Sequence, residues 1–181
     1  MTQTIELVRP NRSLRESYRA LVAEFEALQE KLVPFVLGFE HYDFDAFLAR
    51  LEDCARGVNL PKGFVAHSTF WLVRDQTMVV GVSNIRHALT DALRREGGNI
   101  GYGIRPSVRR QGLGIAILRQ SLRSASGIGL SRVLVTCAKT NVGSMKSILR
   151  NGGILESEEY LPDRNEVVQR YWIDNAARAD A

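Results

Sequence analysis

Cysteine is scarce in this 181-residue chain, which has only Cys54 and Cys137, far apart and in no paired motif. That argues against a disulfide framework and against a zinc site built on cysteine pairs. It suits a reducing compartment, and a cytoplasmic protein without metal is the expectation. Long apolar runs are lacking too: none approaches the roughly 20 residues needed to cross a bilayer. The start, Met1-Thr2-Gln3-Thr4-Ile5-Glu6, has neither the basic nor the apolar part of a secretory signal. Repeats, low-complexity tracts and dividing linkers are absent. Acid is missing from one long stretch, since residues 101–150 hold nine Arg or Lys and no Asp or Glu, within a net charge of +4. Such a stretch suggests a surface that meets a polyanion, either a nucleotide-like cofactor or nucleic acid. No aromatic-rich basic strand accompanies it, which ranks nucleic acid last.

What is present is ordinary globular composition, 45% hydrophobic and 24% charged, in a length suited to one domain. Ile5–Val8 reads as a strand stopped by Pro10. Ser13 is the expected N-cap of a helix whose apolar series is Leu14, Tyr18, Leu21, Val22, Phe25 and Leu28. Asp43 or Asp45 is expected to cap a second helix that buries Phe47, Leu48 and Leu51. Ser68–Val73 and Met78–Ile85 flank a hairpin turn at Arg74–Thr77. A polar segment, His87–Gly98, leads to a strand at Asn99–Ile104 that Pro106 ends. Leu113–Ala125 reads as a helix, Arg132–Cys137 as a strand and Val142–Arg150 as a helix with Asn151-Gly152-Gly153 at its end. Ile154–Leu161 and Val167–Ile173 close the set, with a frayed tail after Asn175. This is an α/β mixture with a long antiparallel component.

The strongest signal is Ile104-Arg105-Pro106-Ser107-Val108-Arg109-Arg110-Gln111-Gly112-Leu113-Gly114. A strand ends, a turn follows and two glycines open a helix. The first helical turn leaves about four amides without intrahelical partners, and the helix dipole adds partial positive charge there. That is an anion site suited to a pyrophosphate. Gly112 and Gly114 lack Cβ atoms and let phosphate oxygens approach, while Arg109 and Arg110 attract them. There is no Gly-Lys-Ser/Thr ending of a Walker-type loop. The dinucleotide fingerprint fails as well, because Ile117 stands where its third glycine belongs and no acid follows at its usual spacing.

This segment resembles motif A of the GNAT acetyltransferase superfamily, with Ile104 in the place of its valine, and Asn141-Val142-Gly143-Ser144 resembles the superfamily's Asn-x-x-Ala/Ser element. The resemblance implies an α+β fold: a mixed, mostly antiparallel sheet of six to seven strands, about four helices, and a splay between strands 4 and 5. It implies one domain over 1–181, with an acceptor-side region at about 1–64, an acetyl-coenzyme A core at about 65–173 and a tail at 175–181. The implied donor is acetyl-coenzyme A, held by Ile104, Arg109, Arg110, Gln111, Gly112, Leu113 and Gly114, with Asn141 and Ser144 at the pantetheine. Asn141 as a plain N-cap is the alternative. Lys139, Lys146 and Arg150 are candidates for the ribose phosphate.

Transfer to an amine requires the neutral base form, so a proton acceptor is needed. The glutamate common on the fourth strand of relatives is missing, and Ile148 stands where many carry a tyrosine that protonates the thiolate. His87 is the chosen base because imidazole titrates near neutrality, with Glu40 and Asp43 as alternatives. Either Tyr102, Tyr160 or Tyr171 replaces the missing acid, or water protonates the thiolate. Glu40, Tyr42, Asp43 and Trp71, carboxylates among aromatics, suit an amino group on a cationic or sugar-like acceptor. Within the superfamily the chain looks similar to the kasugamycin N-acetyltransferases, and an aminoglycoside is the expected acceptor. A polyamine, an amino acid or a protein amino group stays open, as do a catalytically weak acyl-coenzyme A sensor and a homodimer.

Overall fold

The structure, a computed structural model, describes residues 3–176. Along the chain run β1 (Ile5–Val8), α1 (Arg15–Ala27), α2 (Phe44–Arg56), β2 (His67–Arg74), β3 (Met78–Arg86) and α3 (Asp91–Arg95). Then follow β4 (Ile100–Ile104), α4 (Leu113–Gly127), β5 (Arg132–Ala138), α5 (Val142–Arg150), β6 (Ile154–Leu161) and β7 (Glu166–Asp174). The seven strands form two sheets, ordered β1-β2-β3-β4 and β5-β7-β6, in which every neighbouring pair is antiparallel. The expected sheet is thus divided at the step from strand 4 to strand 5.

One asparagine makes the join. The Asn99 amide donates to the Leu134 carbonyl at 2.7 Å, and the Leu134 amide donates to Asn99 Oδ1 at 2.9 Å. Asn99 Nδ2 reaches back to the Arg86 carbonyl. A side-chain oxygen thus takes the place of the next backbone acceptor, and beyond this apex β4 and β5 separate. Gly98 makes the approach possible: its φ is +61°, and a Cβ there would run into the Leu134 carbonyl oxygen.

Strand alternation distributes the core between two layers. Trp71, Val73 and Val82 pack under α1 and α2 with Tyr18, Leu21, Val22, Phe25, Phe47 and Leu51. On the opposite face Leu72, Val80 and Ile85 meet Ile117, Leu118 and Leu122 of α4. Asp43 caps α2 by accepting from the amides of Asp45 and Ala46, and left-handed Gly57 ends it. Ser13 does not cap α1. A 3₁₀ turn, Arg12–Leu14, intervenes, and the Ser13 hydroxyl donates to Asn11 Oδ1. Leu28 falls past the end of α1 and is exposed. α3, capped by Thr90, buries none of its side chains and so offered no apolar stripe to read. The β2–β3 turn has Asp75 and Gln76 both left-handed, the conformation that matches hairpin twist. Asn175, assigned to the tail, is buried and donates to the carbonyls of Leu122 and Leu130. The expected tail beyond Ala176 lies outside the described residues. No helix among them is long and apolar enough to cross a membrane.

Candidate functional site

Where β4 leaves β5, a cavity of about 710 Å³ opens, lined by Tyr102, Gly103 and Ile104, by the turn at Arg109, Arg110 and Gly112–Ile115, by the start of α5 and by the loop after α1. The turn is built as an anion nest. Arg110 (φ +63°) and Gly112 (φ +77°) are left-handed on either side of Gln111, a backbone pattern that points successive amides into one concavity. The amides of Arg110, Gly112, Leu113 and Gly114 donate to no described residue, whereas Ile115 and Ala116 already close on the Gly112 carbonyl. A left-handed arginine costs about 1–2 kcal/mol relative to an ordinary backbone, strain of the kind found where a ligand is gripped.

Close helix packing shapes the rest. A Cβ on Gly114 would stand 2.7 Å from Ser147 Oγ, so a glycine is what lets α4 and α5 approach here. Asn141 caps α5 by accepting from the Ser144 amide at 3.0 Å. Its carboxamide oxygen therefore serves the helix, and the residue lines the cavity. Ser144 Oγ lies 3.2 Å from the Tyr102 hydroxyl. Burial pushes the Tyr102 phenol up despite the bonds from Ser144 and Ser147, so it stays protonated at neutral pH. Of the three tyrosines proposed to replace the missing acid, only Tyr102 lines the cavity. Tyr160 is exposed and donates to Asn165, while the Tyr171 hydroxyl donates to Gln169. Ile148 is buried in the core.

The cavity holds Arg109, Arg110, Lys31 and Lys146 against Glu30. Arg109 is engaged: its Nη1 and Nη2 donate to the two oxygens of Glu30 at 2.7 and 2.6 Å, and its Nε donates to the Ile104 carbonyl. Glu30 sits in the loop after α1, and Arg109 holds its carboxyl below the usual range. Glu24 of α1 takes the preceding residues, accepting from Arg105 Nε, the Ser107 amide and the Ser107 hydroxyl. These two acids were not foreseen as site residues. Their sequence signal is only two glutamates, one near the end of α1 and one just past it.

Several expected residues stand elsewhere. Gln111 is not in the cavity wall, and its Oε1 accepts from Arg74. Lys139 is ion-paired with Glu158. His87 lies past the end of β3 outside the cavity, with Nε2 2.9 Å from Ser68 Oγ. Burial and Arg9 lower its pKa. Trp71 is fully buried and stacks on Tyr18 with ring centroids 4.7 Å apart. It is core, because β2 alternation turns it under α1. Asp43 is the α2 cap, Glu40 accepts from the Tyr42 amide, and Tyr42 is 91% exposed. None of Glu40, Tyr42, Asp43 or Trp71 lines the cavity. No cluster of His, Cys, Asp and Glu able to hold a metal occurs among the described residues.

Comparison with known proteins agrees with this geometry. The ribosomal L7/L12 alpha-N-protein acetyltransferase RimL, solved in complex with coenzyme A, shares 22% identity over 96% of either chain with a TM-score of 0.63. The microcin C7 self-immunity acetyltransferase MccE, solved with acetyl-coenzyme A and AMP, shares 15% identity over 94% of this chain and 92% of that one, at 0.65. A dodecameric spermidine N-acetyltransferase from Vibrio cholerae shares 13% identity over 97% and 96%, at 0.63. At such identities the likeness is one of fold. No curated protein matches the sequence. The acetyltransferase (GNAT) domain model matches residues 10–154, and the chain belongs to the GNAT acetyltransferase family.

Proposed function

We propose that this GNAT-family enzyme transfers the acetyl group of acetyl-coenzyme A to a primary amine in one ternary complex, with residues 1–181 forming a single domain. The observation that carries the reading is the nest of unpartnered amides at Arg110, Gly112, Leu113 and Gly114 beside a cavity of about 710 Å³. A pyrophosphate satisfies those donors, and the volume and a mainly apolar lining with Lys31, Arg109, Arg110 and Lys146 at its edge suit the rest of a coenzyme A molecule. Arg109 and Arg110 add charge, Ile104 offers backbone to the pantetheine arm, and Asn141 and Ser144 face it at the start of α5. When bound, the donor supplies an activated acyl group on sulfur.

The chain's own contribution is position and protons. Holding an amine against the reacting carbon replaces a bimolecular encounter and can supply several kcal/mol of the barrier. A strand amide near Ile104 is placed to steady oxyanion charge. Tyr102 holds a proton at its phenol oxygen inside the cavity and is the donor we assign to the departing sulfur. An aminoglycoside acceptor rests on Glu40, Tyr42, Asp43 and Trp71, and those side chains have structural duties or face solvent, so the amine acceptor is proposed here only as a primary amine.

The test is free-thiol release from acetyl-coenzyme A over a panel of aminoglycosides, polyamines, amino acids and peptides, with calorimetry of coenzyme A binding alongside. Saturable binding plus turnover supports the enzyme. Binding without turnover on any amine returns the protein to an acyl-coenzyme A sensor, and no binding removes the reading altogether.

A further inference from the structure

Two acids hold the turn between Ile104 and Gly114, and they hold it differently. Glu24 lies within α1 and accepts three bonds, from Arg105 Nε and from the amide and hydroxyl of Ser107. Glu30 lies past the helix, and the only partner of its carboxylate among the described residues is Arg109. Both side chains of that pair stay more than a third exposed. Arg109 is fully committed to the protein, since its Nη1 and Nη2 take the two Glu30 oxygens and its Nε takes the Ile104 carbonyl at 3.1 Å. The anion nest at Arg110, Gly112, Leu113 and Gly114 stands beside it with its amides free.

Lys31, Leu32 and Val33 run on from Glu30 across β4. A Cβ on Gly103 would strike the Val33 carbonyl oxygen, so this backbone covers the strand where it enters the cavity wall. The cover is tied at its ends. The Glu30 amide donates to the Phe25 carbonyl at 3.1 Å, and buried Pro34 accepts from the Leu37 amide at 2.9 Å. Between those ties no amide or carbonyl of Lys31, Leu32 or Val33 has a hydrogen-bond partner among the described residues. Leu32 packs on the core only in part, Val33 is exposed, and Lys31 has no ion pair among the described residues. A shift of these three residues therefore breaks no backbone bond, which is the mark of a segment that opens at low cost. The polar contact that holds them down on the cavity side is Glu30 on Arg109.

A diphosphate in the nest brings a second anion to this guanidinium. One planar fork cannot grip both bidentately, and two like charges at that range repel. The diphosphate also has the free amides of the turn, whereas the Glu30 carboxylate has no other partner, so Glu30 is the group displaced. We infer that Glu30 on Arg109 is an autoinhibitory latch: an anion at the turn breaks it, and the strap Lys31–Val33 then leaves Gly103, so that this part of β4 is uncovered only while the turn is occupied. The same step frees the Ile104 carbonyl that Arg109 covers. The inference rests on the proposed cofactor site and adds a switch to it. Linkage makes the coupling reciprocal, so whatever loosens the strap must tighten anion binding by the same factor.

The experiment is limited trypsin digestion of the full chain, with cleavage after Lys31 followed by mass spectrometry and cleavage after Lys62, in an exposed turn away from the cavity, as the internal reference. Inorganic pyrophosphate is the probe, because it is too small to shield the strap, and calorimetry establishes its saturating concentration. In wild-type protein it should speed cleavage after Lys31 about three- to fivefold, the population change that loss of one half-exposed ion pair allows, with Lys62 unchanged. Glu30→Gln should be cut at the faster rate from the start, and pyrophosphate should add nothing. Should that variant fold poorly, the wild-type arm decides alone. Unchanged or slower cleavage after Lys31 with pyrophosphate bound, or a wild-type rate in Glu30→Gln, overturns the latch while the cofactor site stands. Coenzyme A binding without pyrophosphate binding places the diphosphate elsewhere and overturns it too. Binding of neither removes the cofactor site and the latch together.

Discussion

Asn99→Ala is expected to test whether the site depends on the apex between the sheets. Asn99 is 2% exposed and Leu134 1%. The substitution removes the acceptor of the Leu134 amide and the donor to the Arg86 carbonyl, both inside the protein. Each buried group left unpaired costs about 1–3 kcal/mol. The backbone bond from the Asn99 amide to the Leu134 carbonyl survives, so the loss is confined to these two groups, about 2–6 kcal/mol in total. For a chain of this size that is a fall in Tm of roughly 4–24 °C. Urea denaturation followed by far-ultraviolet dichroism measures the first figure, and a thermal scan the second. Coenzyme A affinity should fall with it, since the V that admits the pantetheine is set by this apex. A loss under about 0.5 kcal/mol, the range of an ordinary surface change, would mean that the sheets are held by other contacts and that the apex argument is wrong.

Three further outcomes follow from the site. Glu30→Gln should tighten coenzyme A binding about two- to fivefold, since a half-exposed ion pair worth up to about 1 kcal/mol no longer competes for Arg109; calorimetry showing weaker binding contradicts this. Tyr102→Phe should lower kcat by about a hundredfold, the low end for general acid catalysis, with coenzyme A affinity unchanged within error; an unaltered kcat assigns the proton to water. Burial raises the Glu24 carboxyl, and the bonds from Ser107 and Arg105 outweigh it, so Glu24, like Glu30, titrates below its ordinary value. Their stabilisation is then complete above the unfolded carboxyl value of about 4.3 and is lost as pH falls through the lower folded values. A denaturation series across that window should show stability falling with acid, and less steeply in the double variant Glu24→Gln, Glu30→Gln.

The turn proposed for the cofactor was legible as a turn because its geometry is set locally. Two glycines, a proline that ends a strand and a run without acid specify the turn from Ile104 to Gly114 with no knowledge of the rest of the chain. Helices with a clear apolar stripe, α4 and α5, were read with nearly their observed bounds. The acceptor side was not legible, for two physical reasons. Both faces of the β2–β3 hairpin are covered, so alternation cannot say which apolar residue meets a cleft and which meets a helix; Trp71 went under α1. Arg86 was invisible because a charged residue at a strand end reads as solvated. Only the carbonyls of Gly97 and Gly98, supplied by a loop eleven residues on, show that it is turned inward. The two-sheet division depends likewise on one Asn99 side chain standing in for backbone.

Arg86 bonds the Gly97 and Gly98 carbonyls and no carboxylate among the described residues, because the surrounding acids are engaged elsewhere. Glu24 is spent on Arg105 and Ser107, and Glu30 on Arg109, both at the cofactor turn. Asp43 caps α2, Asp45 pairs with Arg12, and Asp53 pairs with Arg56. Around α3, Glu96 meets Arg164 and Glu159 bridges Arg95 and Arg170. Each of these acids has a cation or a helix terminus in reach. Glu24 of α1 and Glu30 of the following loop both meet the turn between Ile104 and Gly114, while Val33 and Pro34 of the same loop lie against Gly103 and Gly101 of β4. The segment therefore neutralises part of the positive charge at that turn and packs its own backbone on β4.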